Sequence, residues 1–507
     1  MSNKKTVLAA AVALVAVAYA GATWYAGQRV QSRYQEGIAE LRKLLGEQAV
    51  AVDEYHKGFF SSQARLVLQW TPSASTSEQG DAAAAKPLRL VISSGVRHGP
   101  LAGARLAAAV IESRFTFEGL DDKGAQALAK ATGPTLTAVR HFGGGSDLRL
   151  LLPAGEIGDG QTTLRWQELV FESSLSSGGK SVQGTFRWPE VAMLGLPGKS
   201  AQDDASEEDA EGQESDAGAQ AQESVQSAMA GDAAPVERTD LTIHGMQGRF
   251  EGRPIEGLWT MGPGSSSLSM ARMSLSQVPA GGGETATLLD LRDLAAHCVI
   301  ESDSKTLGMT TQVNGAGRIG PIDFDAVGYD EKIQRLDIEA LREIQQVFVE
   351  GYRAQGLAKA FEALQSQGQD VLMRNAPRLV AALPAYSMKL HATYKGQTGE
   401  LAYGGEVQSA PTQAQLEASG WMPALVNGTV VHADARLPKA WLEILLKARS
   451  GGAEVASEEV EAMLGMVQST GYARLEGDYL TSAFKMQGGQ ITLNGKAMAS
   501  PLGAMLQ

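Results

Sequence analysis

Beyond its first fifty residues this chain alternates apolar and polar side chains, one short segment after another. A strand sends successive side chains to opposite faces, so this period of two predicts half-buried antiparallel strands. Leu66, Leu68 and Trp70 oppose Arg65 and Gln69, while Leu88, Leu90 and Ile92 alternate with Arg89, Val91 and Ser93. Phe115 and Phe117 follow, and the pattern continues through 148–152, 164–171, 182–188, 241–250, 268–278 and 323–329. The clearest case is Tyr386, Met388, Leu390, Ala392 and Tyr394, expected to be buried, with Lys389 and Lys395 left in water. The 58 glycines supply turns, notably Gly396 and Asn494-Gly495.

Helical periodicity interrupts the strands. Leu341, Ile344, Phe348 and Tyr352 lie three or four apart behind Asp337, a predicted N-cap. A second helix through Val371, Leu372, Leu379 and Leu383 stops at Pro384. Pro438 opens a helix bearing Trp441, Leu445 and Ala448, and Ser457 is placed to cap another with Val460, Met463 and Leu464. A short helix is also expected over 123–131.

The N-terminus reads differently. Thr6 to Gln28 carries no charge, follows Lys4-Lys5 and closes on Trp24-Tyr25. Twenty-three such residues reach roughly 30 Å as a helix, the thickness of a bilayer core. The expectation is a retained membrane anchor using Val7, Leu8, Val12, Leu14, Val15 and Val17, with Trp24 and Tyr25 as the interfacial belt. The rival is a signal peptide cleaved after Ala18-Tyr19-Ala20. From Val30 to Val52 the helix is expected to continue as a polar stem.

Net charge says little about partners. Of the 57 acids, ten fall between Asp203 and Asp232 with no Lys or Arg among them, leaving 47 against 44 basic residues elsewhere. A nearly neutral folded part speaks against nucleic acid. The acidic segment lacks large apolar side chains and predicts a disordered insertion. Cys298, the one cysteine, permits no intramolecular disulfide and is expected in the core.

Catalytic and metal-binding patterns are weak throughout. Gly195 to Ser200 resembles the end of a phosphate loop, but its first glycine position holds Met193. The histidines His56, His98, His141, His244, His297, His391 and His432 show no pair at metal-ligand spacing. His141 and Asp147 flank three glycines, which reads as a turn between strands. Neither a catalytic residue nor a cofactor is assigned.

One motif set points further. Tyr55-His56-Lys57-Gly58-Phe59-Phe60-Ser61-Ser62, the His98-Gly99-Pro100 turn and the late Asn494-Gly495 turn together resemble the YdgA-like proteins, single-anchor envelope proteins of Gram-negative bacteria with no assigned activity. The resemblance implies an uncleaved inner-membrane anchor, a large periplasmic portion and self-association, with no catalytic residues. The expected division is a tail and anchor at 1–28, a stem at 29–54, strand-rich regions at 55–198 and 237–335 around the insertion 199–236, a helical block at 336–385, and a strand-rich unit with helices at 386–507. The expected fold is α+β: a transmembrane helix, then a curved antiparallel sheet with packed helices. The expected function is a non-catalytic periplasmic binding or scaffold protein, or a lipid-handling protein whose curved sheet forms an apolar groove. Its expected partners are inner-membrane lipid, a second copy of the chain, and an envelope protein or lipid ligand.

Overall fold

The computed structural model describes residues 2–70, 87–120, 132–158, 162–197, 236–258, 262–279, 285–320, 322–355, 357–412, 421–449 and 456–498. Helix α1 (Ser2–Leu45) leads into β1 (Val50–Lys57), β2 (Ser61–Trp70), β3 (Leu88–His98), β4 (Leu101–Ala102), β5 (Arg105–Leu106), β6 (Ala109–Glu118), β7 (Thr135–Arg140) and β8 (Ser146–Leu152). Next come β9 (Gly155–Gly158), β10 (Thr163–Trp166), β11 (Leu169–Leu175), β12 (Val182–Pro197), β13 (Val236–Gly252), β14 (Gly264–Pro279), β15 (Ala286–Ser302), β16 (Thr306–Ile319) and β17 (Ile322–Asp337). Helices α2 (Ile338–Gln355) and α3 (Leu357–Ala381) precede β18 (Ala385–Tyr394) and β19 (Gln397–Val407). The chain closes through α4 (Trp421–Gly428), β20 (Thr429–Pro438), α5 (Ala440–Arg449), α6 (Ser457–Ser469), β21 (Arg474–Glu476), β22 (Tyr479–Gln487), β23 (Gln490–Leu493) and β24 (Lys496–Met498).

Twenty-two of these strands form one antiparallel sheet, and β4 pairs with β5 in a separate hairpin. Almost every strand pairs with its chain neighbours, and hydrogen bonding passes without a break from β12 to β13 and from β17 to β18. This corrects the α+β expectation: the alternating pattern extends through most of the described chain, so the architecture is mostly antiparallel sheet with few helices. The helix expected over 123–131 and the acidic insertion lie outside the described residues.

No helix among the described residues is long and apolar enough to cross a membrane. The expected transmembrane anchor, and with it the single-pass inner-membrane and periplasmic placement, is therefore not upheld. The reason lies in how α1 packs. Thr23 and Ala26 are buried, and a Cβ on Gly27 would sit 2.8 Å from the His98 ring. The last residues of the uncharged run thus pack on protein. Thr6 to Gly21 is 16 residues, about 24 Å of helix, short of a bilayer core and diluted by seven alanines. Trp24 and Tyr25 are exposed, but each meets a cation of this chain: Lys57 Nζ lies 5.8 Å from the Trp24 ring and Arg29 5.4 Å from that of Tyr25. The stem is also shorter than expected, since helix ends at Leu45 and Val50 already belongs to β1.

Strands β12 to β17 are long, and a crease crosses them. Gly245, Asp293 and Gly317 have φ of 65°, 51° and 130°, and pairing slips near Asp293 and Gly317. At the crease the apolar series steps by three instead of two: Met246 to Ile243, Met270 to Met273, Leu294 to Leu291. An extra residue in a left-handed or bulged conformation absorbs the odd step, so the apolar series stays on one side while the strand bends.

Fully buried apolar residues are local. Leu258, Leu307 and Ile338 cluster where α2 leaves the sheet, and Leu442, Leu464 and Leu480 bind α5 and α6 to β22. Asp337 caps α2, its Oδ1 accepting the Ala340 N–H at 2.9 Å, as expected. Ser457 makes no cap, since the capping position is Ala456.

Candidate functional site

The registers define two unlike faces. On one, directly paired residues give the row Leu136, Leu150, Phe171, Phe186, Gly248, Leu268, Ala296, Val313, Tyr329, Leu390 and Leu401. This apolar ladder crosses eleven consecutive strands from β7 to β19. It is only half covered: Leu390 is 40% exposed, Leu401 44% and Tyr403 44%. The expected burial of Leu390 therefore fails, because no second layer lies over β18 and β19 at that point among the described residues. Tyr329 is an exception in polarity; desolvation and the nearby Glu331 carboxylate push its phenol up to about 12.

The helices lie on this apolar side. Ile300 of β15 and Leu341 of α2 both pack against the Leu258, Leu307 and Ile338 cluster at the start of α2, and Tyr34 of α1 lies 5.0 Å from Tyr55 of β1. At the other end of α2 the Arg353 carbonyl is 3.7 Å from where a Cβ on Gly46 would be, just ahead of β1. Helix α2 has 18 residues, about 27 Å, yet the path between β1 and β17 through the sheet is twelve strand spacings, about 58 Å. A chord that short demands a sheet that bends and twists strongly between β1 and β17.

The motif residues taken from distant segments converge at one end. Ser62 Oγ lies 2.9 Å from His98 Nε2, and His98 Nδ1 lies 3.0 Å from the Phe59 carbonyl. A carbonyl only accepts, so Nδ1 carries the proton, and in the Nδ1–H tautomer Nε2 accepts the Ser62 hydroxyl. The His98 N–H also donates to the Phe60 carbonyl at 2.9 Å, and Gly58 N–H to that of Ser61 at 2.8 Å. Gly99 follows in a passage so tight that a Cβ would fall 2.0 Å from the Ala107 oxygen. His98 and Ser62 are buried beneath Gly27, with no room for a substrate, so this Ser–His pair is a packing joint between α1, β2 and β3. Tyr55 faces the same side, its phenol raised by burial, whereas His56 points to the opposite, exposed face. Phe59 and Phe60 are exposed and stack edge-to-face at 4.8 Å; Pro100 leads into β4, and Ser61 lies on the exposed side of β2.

Asn494 and Gly495 stand far from this joint. The buried Asn494 amide accepts from Ala483 N–H at 2.9 Å and donates to the Gly471 and Tyr472 carbonyls, tying the β23–β24 turn to β22 and to the end of α6. Its conformation has φ 53°, followed by Gly495 at 76°.

The second face carries a polar row, again by direct pairing: His56, Gln63, Gly95, Glu112 and Thr137, continuing through Arg149, Glu172, Thr185, Arg249, Ser267, His297 and Gln312. Reading the sequence alone missed it. Each strand has polar residues at every second position, and only pairing registers line up eleven of them, with Gly95 as the twelfth member of the row. Near its middle His141 Nε2 lies 2.8 Å from Asp147, which also accepts from Ser174 at 2.7 Å. Those bonds hold the Asp147 carboxyl below the usual range, Ser174 contributing most. Ser174 donates to the carboxylate, so no imidazole activates it as a nucleophile. Cys298 is half-buried on the apolar face.

Neither the curated proteins nor the solved structures contain a match to this chain. A family model described as "Bacterial protein of unknown function (DUF945)" matches residues 3–501. Since that match spans nearly the full length, the chain belongs to the DUF945 family of bacterial proteins.

Proposed function

We propose that this protein is a non-catalytic binding protein that holds an extended apolar ligand, of the lipid acyl-chain class, along the apolar face of its curved sheet. The observation that carries the reading is the eleven-strand apolar ladder left half open at Leu390, Leu401 and Tyr403. Side chains at the end of a closed core would be covered, and contiguous open apolar surface on this scale marks a binding face. The likeness to the YdgA-like proteins belongs to the same reading.

The test is purification of the full chain followed by lipid extraction and mass spectrometry. Acyl lipid should co-purify in a fixed ratio, and Leu390→Ser combined with Leu401→Ser should lower that ratio severalfold with only a small drop in thermal midpoint. Lipid-free protein that takes up no fatty acid on titration would sink the proposal.

A second reading, self-association, has its own observation. Phe59, Phe60, Leu101, Leu106 and Phe142 are exposed in the turns at one end of the N-terminal strands. Sedimentation of the wild type against Phe59→Ser with Phe60→Ser separates the two: a dimer that dissociates in the variant supports it, and a monomeric wild type removes it.

A further inference from the structure

The polar row is the floor of a trough. Three concavities, of about 1050, 810 and 640 Å³, all lie on the polar face and share lining residues in sequence from β1 to β16. Every member of the row lines at least one of them. Twelve strands at about 4.8 Å give a floor about 53 Å long, running perpendicular to the strands.

The chemistry of this floor is hydrogen bonding and charge. In the central concavity the Thr185 and Ser267 hydroxyls alternate with Arg149, Glu172, Arg249 and His297. The acids are already engaged: Glu172 lies 3.6 Å from Arg149, Asp147 takes His141 and Ser174, and Glu251 accepts from Ser265 at 3.3 Å. The side chains of Arg249, His297 and Arg105, which also lines this concavity, have no hydrogen bond or ion pair with any described residue. The free groups are thus the Arg249 and Arg105 guanidiniums and the His297 imidazole, set among hydroxyls in a row with one residue per strand.

We propose that this trough binds an extended acidic oligosaccharide. A sugar chain offers hydroxyl donors and acceptors at every unit, and its repeat in an extended conformation is close to the strand spacing. Carboxylate substituents then meet Arg249 and His297, two strands apart, with charge-assisted hydrogen bonds. A lipid tail would meet only scattered apolar side chains here, such as Val139, Val170 and Ala295, and would leave the charged row unpaired, and a compact anion would leave most of the floor unused. The site lies on the opposite side of the sheet from the apolar ladder, so it stands or falls independently of the lipid-binding reading.

The experiment is calorimetric titration of the full chain with a uronic-acid hexasaccharide, a neutral glucose hexasaccharide, and a polyphosphate of similar length. The uronate should bind and the neutral sugar much more weakly. Arg249→Gln with His297→Gln should weaken uronate binding at least about tenfold, the loss expected for charged hydrogen bonds, with an unchanged thermal midpoint. Lys496→Gln, on β24 far from the trough, should bind as the wild type does. Absence of uronate binding at millimolar concentration, wild-type affinity in the double variant, or equal affinity for polyphosphate would each overturn the proposal, the last by showing a general polyanion surface.

Discussion

Loss of the Ser62 hydroxyl would leave His98 Nε2 buried without a donor. Ser62→Ala should therefore cost about 1–3 kcal/mol in chemical denaturation, far more than serine replacements on exposed strand positions. Gly27 gives a sharper test of the same joint. Alanine there gains helix propensity of up to about 1 kcal/mol but drives a methyl into the His98 ring. Gly27→Ala should be destabilising in the wild type and much less so in a His98→Ala background, and the coupling in that double-mutant cycle is the measurement. Equal effects in both backgrounds would mean that α1 does not rest on His98. The motif residues that form this joint were visible in the sequence as a string of unusual types. Their convergence was not, because 36 residues separate Ser62 from His98 and only the β2–β3 register brings them together.

Among the elements, β18 shows what alternation can and cannot report. Its period of two correctly placed Leu390 and Lys389 on opposite faces, but it carries no information on whether a second layer covers the apolar one. With Leu390 40% exposed, Leu390→Asp should cost no more than about 1–2 kcal/mol, below the 2–5 kcal/mol expected for Leu464→Ala in the closed cluster beneath α5 and α6. Urea denaturation of the two variants decides it; a larger loss at Leu390 would show a covered face. The same limit explains the N-terminal run, where an uncharged stretch measured length and apolarity but could not reveal that its last residues pack against His98. The crease was encoded as three-residue steps in the apolar series, a signal overlooked because each step resembles a strand end. Gly245 sits at φ 65° with Ala271 Cβ 2.8 Å from where its own Cβ would be, so Gly245→Val should destabilise β13 and β14 markedly and lower the thermal midpoint.

At the scale of the molecule, the acidic insertion joins two strands that are already partners, with Pro197 opposite Arg238. Deleting Asp203 to Asp232 shortens a hairpin connection and should leave the thermal midpoint nearly unchanged, since loop closure depends only weakly on length. Cooperative loss of the fold on deletion would contradict this. Acid should act through surface carboxylates held below their ordinary range: Asp290 by the Arg272 guanidinium, Asp147 by Ser174 and His141, and Glu400 by Lys389. A lowered folded value means stability that is complete above the usual carboxylate range and lost as pH falls through the folded value. The thermal midpoint should thus hold from neutrality to about pH 5 and decline below about pH 4, with Asp290→Asn reducing that decline by under 1 kcal/mol because the pair is exposed.

Pairing of nearly every strand with its chain neighbour has a consequence for how such a long chain is made. Each hairpin can dock on the one before it as soon as it leaves the ribosome, without waiting for a distant partner, so loop-closure entropy stays small for a sheet of this width. Stability then resides in nearest-neighbour interfaces, as in repeat arrays, and the ends should fray before the middle. The same wiring lets the sheet grow or shrink by whole hairpins over evolution, changing the length of its two faces while leaving the remaining registers intact.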